Sequence, residues 1–120
     1  MRCHFRHRAH EDPFINVGLQ DITAWVDFTR VAEAADSAGL DVLGFNTQAA
    51  FLIGAGMESL LATEMEIAGE DPRRRAILAS EARRLMLPGE MGEVFKVIAL
   101  GRGFDAPLAG FATQDLRASL

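Results

Sequence analysis

Apolar residues between Asp27 and Gly39 fall into one stripe. Phe28, Val31, Ala32, Ala35 and Ala38 stand at i, i+3, i+4, i+7 and i+10, the repeat of a single helix face. Asp27 precedes the stripe as an N-cap whose carboxylate can accept from the free amides of the first turn. Gly39 follows it, where a helix ends most easily in a left-handed conformation. Leu40 to Phe45 (LDVLGF) then reads as a short, mostly buried strand. Helix, glycine stop and strand in this order look like the αβ half of a βαβ unit.

Downstream, Thr47 is placed to cap a second helix over QAAFLIGAGMESLLATEMEIA, where Gly54 and Gly56 point to a break or to two short helices. Asp71-Pro72 combines a cap with proline at the first helical position. The helix it opens runs through RRRAILASEARRLML and stops before Pro88. PGEMG reads as loop. Val94 to Leu100 (VFKVIAL), apolar except for Lys96, reads as a strand buried on most of both sides. Gly101 and Gly103 end it, and a loosely ordered tail is expected beyond. Upstream, residues 2–6 (RCHFR) are a strand candidate, and His10 to Gly18, with Pro13 and Asn16, read as loop. Repeats, linkers and low-complexity runs are absent, so residues 1–120 form one α/β unit with extra helices between its last two strands.

Composition narrows the class. With 120 residues, 49% of them hydrophobic and 24% charged, the chain is expected to bury roughly two-thirds of its unfolded surface. The net charge of −5 argues against a nucleic-acid binder, which needs a basic face. The lone Cys3 rules out an internal disulfide and fits a reducing compartment. No apolar run is long enough for a membrane span. MRCHFRHRAH lacks a signal core, and the acidic Glu11 and Asp12 that follow do not suit a transit peptide. The cytoplasm is therefore the expected location, with neither nucleic acid nor membrane as partner.

Candidate chemistry is sparse. His4, His7 and His10, beside Cys3, recur every three residues, which matches neither a strand face nor a rigid zinc site, so no metal is assigned. Asp21 and Asp27, with Glu11 and Asp12, are either carboxylates for acid–base work or an Asx turn at Asp21 and a helix cap at Asp27. The structural alternative is the simpler of the two. Arg73, Arg74, Arg75, Arg83 and Arg84, interleaved with Glu81, read as a solvated helix face, and the methionines as core filler. GxGxxG, Walker, HExxH, CxxC and GxSxG motifs are all missing.

Three longer stretches carry a resemblance. RHRAHEDPF (6–14), DITAWVDF (21–28) and PGEMGEVFKVIAL (88–100) resemble the C-terminal third of the MidA-like class I SAM-dependent methyltransferases. TQAAFLIGAGM (47–57) is similar to a further stretch of that family, so the likeness spans nearly the whole chain in order. It implies the C-terminal portion of a Rossmann-like methyltransferase sheet, with an antiparallel last strand (VFKVIAL) and helices inserted between the last two strands. It also implies S-adenosyl-L-methionine as cofactor and a protein substrate, with arginine as the methyl acceptor.

In the family, the glycine-rich SAM loop and the ribose-binding acidic residue lie upstream of these stretches. The chain is accordingly expected to begin within a late strand of the sheet and not to bind SAM alone. By resemblance, His7, His10, Asp21, Thr23 and Asp27 are the substrate-side candidates. Trp25 stands where relatives carry His or another polar residue, and it is given no catalytic role. The competing expectation is a non-catalytic module, or a subunit completing a separately encoded SAM-binding half. Its unpaired sheet edges would then favour that half or self-association.

Overall fold

The computed structural model describes residues 1–120. It contains two separate sheets. In the first, β1 (Arg2–Phe5) lies between β2 (Arg8–His10) and β3 (Asp21–Thr23), all antiparallel. In the second, β4 (Asp41–Thr47) pairs antiparallel with β5 (Lys96–Gly101). Between the sheets runs α1 (Phe28–Ser37). Between β4 and β5 come α2 (Gln48–Gly54), α3 (Met57–Ala68), α4 (Pro72–Met86) and the single turn α5 (Met91–Val94). The antiparallel final pair with helices inserted between its strands is the expected arrangement.

The helix ends follow the local chemistry. The Asp27 carboxylate accepts from Arg30 N–H at 3.1 Å, and Gly39 has φ +69°. Thr47 Oγ1 accepts from Ala50 N–H at 3.2 Å. Asp71 accepts from both Arg73 and Arg74 N–H, at 2.9 and 3.2 Å, with Pro72 next. Gly56, at φ +95°, separates α2 from α3. In the basic stretch, Arg74 reaches Glu64 at 3.5 Å and Arg75 bonds the carbonyls of Met65 and Gly69, tying α4 to α3.

Several expectations are corrected. Arg8–His10 is a strand, because Arg6 and His7, at φ 47° and 65°, make a two-residue hairpin turn in which both central residues take positive φ. Asp21 makes no Asx turn. It is a strand residue opposite His4, and the local carboxylate bond belongs to Asp12, which accepts from Phe14 N–H at 2.9 Å. PGEMG runs into α5, so the last strand starts at Lys96 and leaves Val94 and Phe95 exposed. The strand itself is only half-buried.

The tail is not loose. Phe111 is buried, its ring 5.3 Å from that of Phe51, and the space above Gly44 admits the Phe111 ring only because Gly44 has no Cβ. Residues 114–117 then lie along the outer edge of β4. Leu116 N–H donates to the Phe45 carbonyl at 2.7 Å, and Arg117 donates to the Val42 carbonyl at 3.1 Å. Asp115 accepts from Phe45 N–H at 3.3 Å and from Arg117 at 2.7 Å. Burial pushes the Asp115 carboxyl up, but the bonds from Arg117 and Phe45 outweigh it and hold the group below the usual 3.8.

A depressed native pKa contributes stability that is present at neutral pH and lost as pH falls through the native value. The strap over β4 is therefore expected to loosen below about pH 4, seen as faster exchange of the Leu116 amide. Asp115→Asn should abolish this pH dependence.

The burial expectation fails as well. Accessible surface is 8778 Å², against about 6,400 Å² for a compact protein of this mass. Only 10 of 120 residues are buried, and the radius of gyration is 18.5 Å where about 14 Å is usual. The molecule is a slab 51 × 46 × 21 Å, too thin to enclose a core. No helix is long and apolar enough to cross a membrane.

Candidate functional site

The two sheets face each other across an open groove of about 1240 Å³. One wall belongs to the first sheet. Arg2 is paired with Thr23 and His4 with Asp21, so these four side chains share one sheet face. Arg2, His4 and Thr23 line the groove, and Thr23 Oγ1 fixes the strand end by donating to the Arg2 carbonyl at 3.0 Å. The opposite wall is aromatic: Phe28 and Phe45, with centroids 5.1 Å apart, and Phe95 from the turn before β5. Ala24, Trp25 and Val26 form the connection between the walls, and Trp25 is 83% exposed. Glu11, Glu93 and Lys96 stand around the opening, where Lys96 Nζ donates to the Glu93 carbonyl at 2.7 Å.

The groove takes up the five candidates unequally. Thr23 lines it, and Asp21 lies on the same sheet face without reaching it. Asp27 caps α1 and forms an exposed pair with Arg30 at 3.6 Å, a contact of little energetic weight. His7 is exposed at the tip of the β1–β2 hairpin. His10 is paired with Cys3 and so lies on the opposite face, with both ring nitrogens buried and unpartnered. The five do not form one cluster.

Arg2, His4, Trp25 and Glu93 also line the groove; from the sequence, His4 reads only as one of the histidine series and Trp25 is given no catalytic role. For Arg2 and His4 a signal existed: strand alternation places both on the face shared by Asp21 and Thr23. Trp25 and Glu93 lie within DITAWVDF and PGEMGEVFKVIAL, but which residues of those stretches reach the groove depends on the packing of distant segments.

Two carboxylates near exposed aromatic faces suit a cationic side chain. The elements offer no cradle for a nucleoside cofactor. β4 passes into α2 through the Thr47 cap without a glycine turn, so a strand–glycine loop–helix unit of the kind that receives such groups is missing.

Similarity to known proteins completes the picture. The family model Methyltransf_28, described as "Putative S-adenosyl-L-methionine-dependent methyltransferase", matches residues 1–46. The Protein arginine methyltransferase NDUFAF7 homolog, mitochondrial, of Drosophila melanogaster is 32% identical over 118 residues, 92% of this chain and 26% of the fly protein. A COG1565 superfamily member from Burkholderia thailandensis, solved bound to S-adenosyl-homocysteine, is 47% identical. It superposes with a TM-score of 0.89 over 99% of this chain and 30% of its own. A native structure of a COG1565 superfamily protein from the same organism gives 47% identity and a TM-score of 0.90, over 99% of this chain and 31% of its own.

The chain thus spans about a quarter of the fly protein and under a third of the solved ones. S-adenosyl-L-methionine is the cofactor of the family, and the α/β architecture is that of a portion of a Rossmann-like methyltransferase. The chain belongs to this MidA-like family of S-adenosyl-L-methionine-dependent methyltransferases.

Proposed function

We propose that residues 1–120 are the C-terminal, substrate-side part of a SAM-dependent methyltransferase domain that acts on a side-chain nitrogen of a protein, arginine being the acceptor. The carrying observation is the superposition of 99% of this chain on the S-adenosyl-homocysteine-bound relative at 47% identity. The arginine assignment draws on the name of the fly relative and on the groove chemistry.

In this reading the chain's residues bind and orient the acceptor. Trp25 and Phe95 offer aromatic faces to the cation, and Glu11 and Glu93 offset its charge. Asp21 and Thr23 stand on the substrate wall. His7 and Asp27 flank it from the hairpin tip and the start of α1, while His10 lies on the far face of the sheet. Positioning of this kind is the main contribution a methyl-transfer site needs from its acceptor side. Cofactor binding falls to a SAM-binding portion, so the 120 residues alone are inactive. This reading keeps the cytoplasmic location expected from the sequence, whereas the fly relative's name places that protein in mitochondria.

Calorimetry of the purified 120 residues with S-adenosyl-L-methionine should show no heat of binding. Mixed with the SAM-binding portion of the Burkholderia relative, the chain should transfer labelled methyl groups to arginine peptides. Tight SAM binding by the isolated chain would overturn the division of labour. A stable complex without methyl transfer would instead identify a non-catalytic interaction module, the alternative favoured by the amount of apolar surface left exposed.

A further inference from the structure

Of the residues lining the groove, His4 is the single imidazole, and the reading above gives it no task. Its surroundings are set by the ladder. On β2 it faces Ala9, which brings no charge, and on β3 it faces Asp21. Directly opposite residues of an antiparallel pair hold their Cβ atoms about 4.5–5.5 Å apart, so the His4 ring and the Asp21 carboxylate are neighbours on one sheet face. His4 reaches the groove and Asp21 does not. With a carboxylate behind it, an imidazole at the wall can be held through one ring N–H while its other nitrogen turns outward as an acceptor.

Arginine chemistry calls for such a nitrogen. A guanidinium is charged at neutral pH and accepts nothing, so its nitrogen can bond a methyl carbon only as a proton leaves it. The other polar groups of the groove are less suited to take that proton. Arg2 is itself a permanent cation. Thr23 Oγ1 is committed to the Arg2 carbonyl at 3.0 Å, and Lys96 Nζ to the Glu93 carbonyl at 2.7 Å. Glu11 and Glu93 stand around the opening, where they offset the charge of the acceptor. Imidazole ordinarily titrates nearer neutral pH than a carboxylate, which suits a base working there.

We propose that His4 is the catalytic base of the groove, taking the proton of the acceptor nitrogen, and that Asp21 is its positioning residue. This rests on the methyltransferase reading above. In the step, the acceptor nitrogen forms a bond to the methyl carbon while the carbon–sulfur bond of the sulfonium breaks, its electron pair going to sulfur. The N–H proton passes to His4, and the imidazolium so formed lies beside Asp21 until it releases the proton to solvent. The acceptor keeps its single positive charge, and the charge lost by the sulfonium leaves as that proton. The charged groups around the ring are Arg2 and Asp21 on its own sheet face and Glu11, Glu93 and Lys96 around the opening.

His4 is exposed, so substitutions there leave the fold intact. Two measurements test the proposal. In the first, an arginine peptide is titrated into the isotope-labelled chain without cofactor. The His4 ring resonances should shift, and those of His7, out at the hairpin tip, should not. In the second, methyl transfer is followed after mixing with the SAM-binding portion of the Burkholderia relative. His4→Gln should lower kcat by about 100-fold or more with little change in KM. The parent rate should fall as pH drops and the ring takes up a proton, and His4→Gln should flatten that limb. Added imidazole should restore part of the activity of His4→Ala. Asp21→Asn should lower kcat by about tenfold or more, again without raising KM.

Full activity of His4→Gln in a complex that methylates arginine would overturn the proposal and leave the methyltransferase reading standing. A loss seen only as raised KM, or one that imidazole does not restore, would make His4 a binding residue and also overturn it. So would His4 resonances unmoved at saturating peptide. A parent complex that transfers no methyl group would sink both, whatever the peptide does to His4.

Discussion

Replacing Phe111 by alanine should destabilise the chain by about 3–5 kcal/mol, the usual cost of removing a buried aromatic ring. Phe111 is 8% exposed in a molecule that buries few residues at all, so it carries an unusual share of the available packing. Its ring meets Phe51 edge-on at 5.3 Å and 60°, a favoured aromatic arrangement, and occupies the space left by the missing side chain of Gly44. Total stabilities of small domains are only about 5–15 kcal/mol, so the variant should be largely unfolded in urea concentrations that the parent survives. The measurement also decides how the C-terminal residues behave. A loose tail would make Phe111→Ala nearly neutral, within about 0.5 kcal/mol, as for an ordinary surface change.

Asn46→Leu is the second large effect. Asn46 is the one fully buried polar side chain, at 0% exposure. Its Nδ2 donates to the Gln114 carbonyl at 2.5 Å and its Oδ1 accepts from Thr47 N–H at 2.8 Å. Leucine matches its volume well enough, but it strands both backbone groups, each at a cost of about 1–3 kcal/mol. The loss should fall on the strap over β4. Leu116 amide protection should collapse well before global unfolding, and thermal scans should show a lowered midpoint. An unchanged Leu116 exchange rate in Asn46→Leu would mean that the tail is held without the asparagine.

The two variants bracket the same device. Phe111 anchors the tail through apolar contact and Asn46 through backbone satisfaction, and the Asp115–Arg117 pair adds a bond that depends on pH. With all three in place, the outer edge of β4 is closed to other chains.

How much of this was legible in the sequence depends on the range of the forces involved. The caps at Asp27, Thr47 and Asp71, the stops at Gly39 and Gly56 and the helix stripe from Phe28 are set by groups within a few residues of one another, and they stand where the pattern puts them. The resemblance in DITAWVDF and PGEMGEVFKVIAL likewise located the family, because those stretches are short and ordered along the chain. DITAWVDF is instructive for what it did not convey. Residues 21–27 are exposed throughout, and only the first three join a strand, through pairing with Arg2, Cys3 and His4 some 20 residues earlier. Asp21 reads locally as a turn former, and tertiary pairing overrides that preference.

By itself, the sequence determined α1 to α4, their caps and the family, because each is written in local spacing or in contiguous motifs, whereas β2, β3 and the short α5 were not legible in it. Tertiary structure alone decided that the N-terminal residues form a separate sheet, that His4 rather than His10 faces the groove, and that the tail seals β4. Those outcomes turn on backbone groups finding partners far along the chain, as the Leu116 N–H finds the Phe45 carbonyl. Such pairings leave no periodic trace in the chain, since any residue's N–H and C=O can make them.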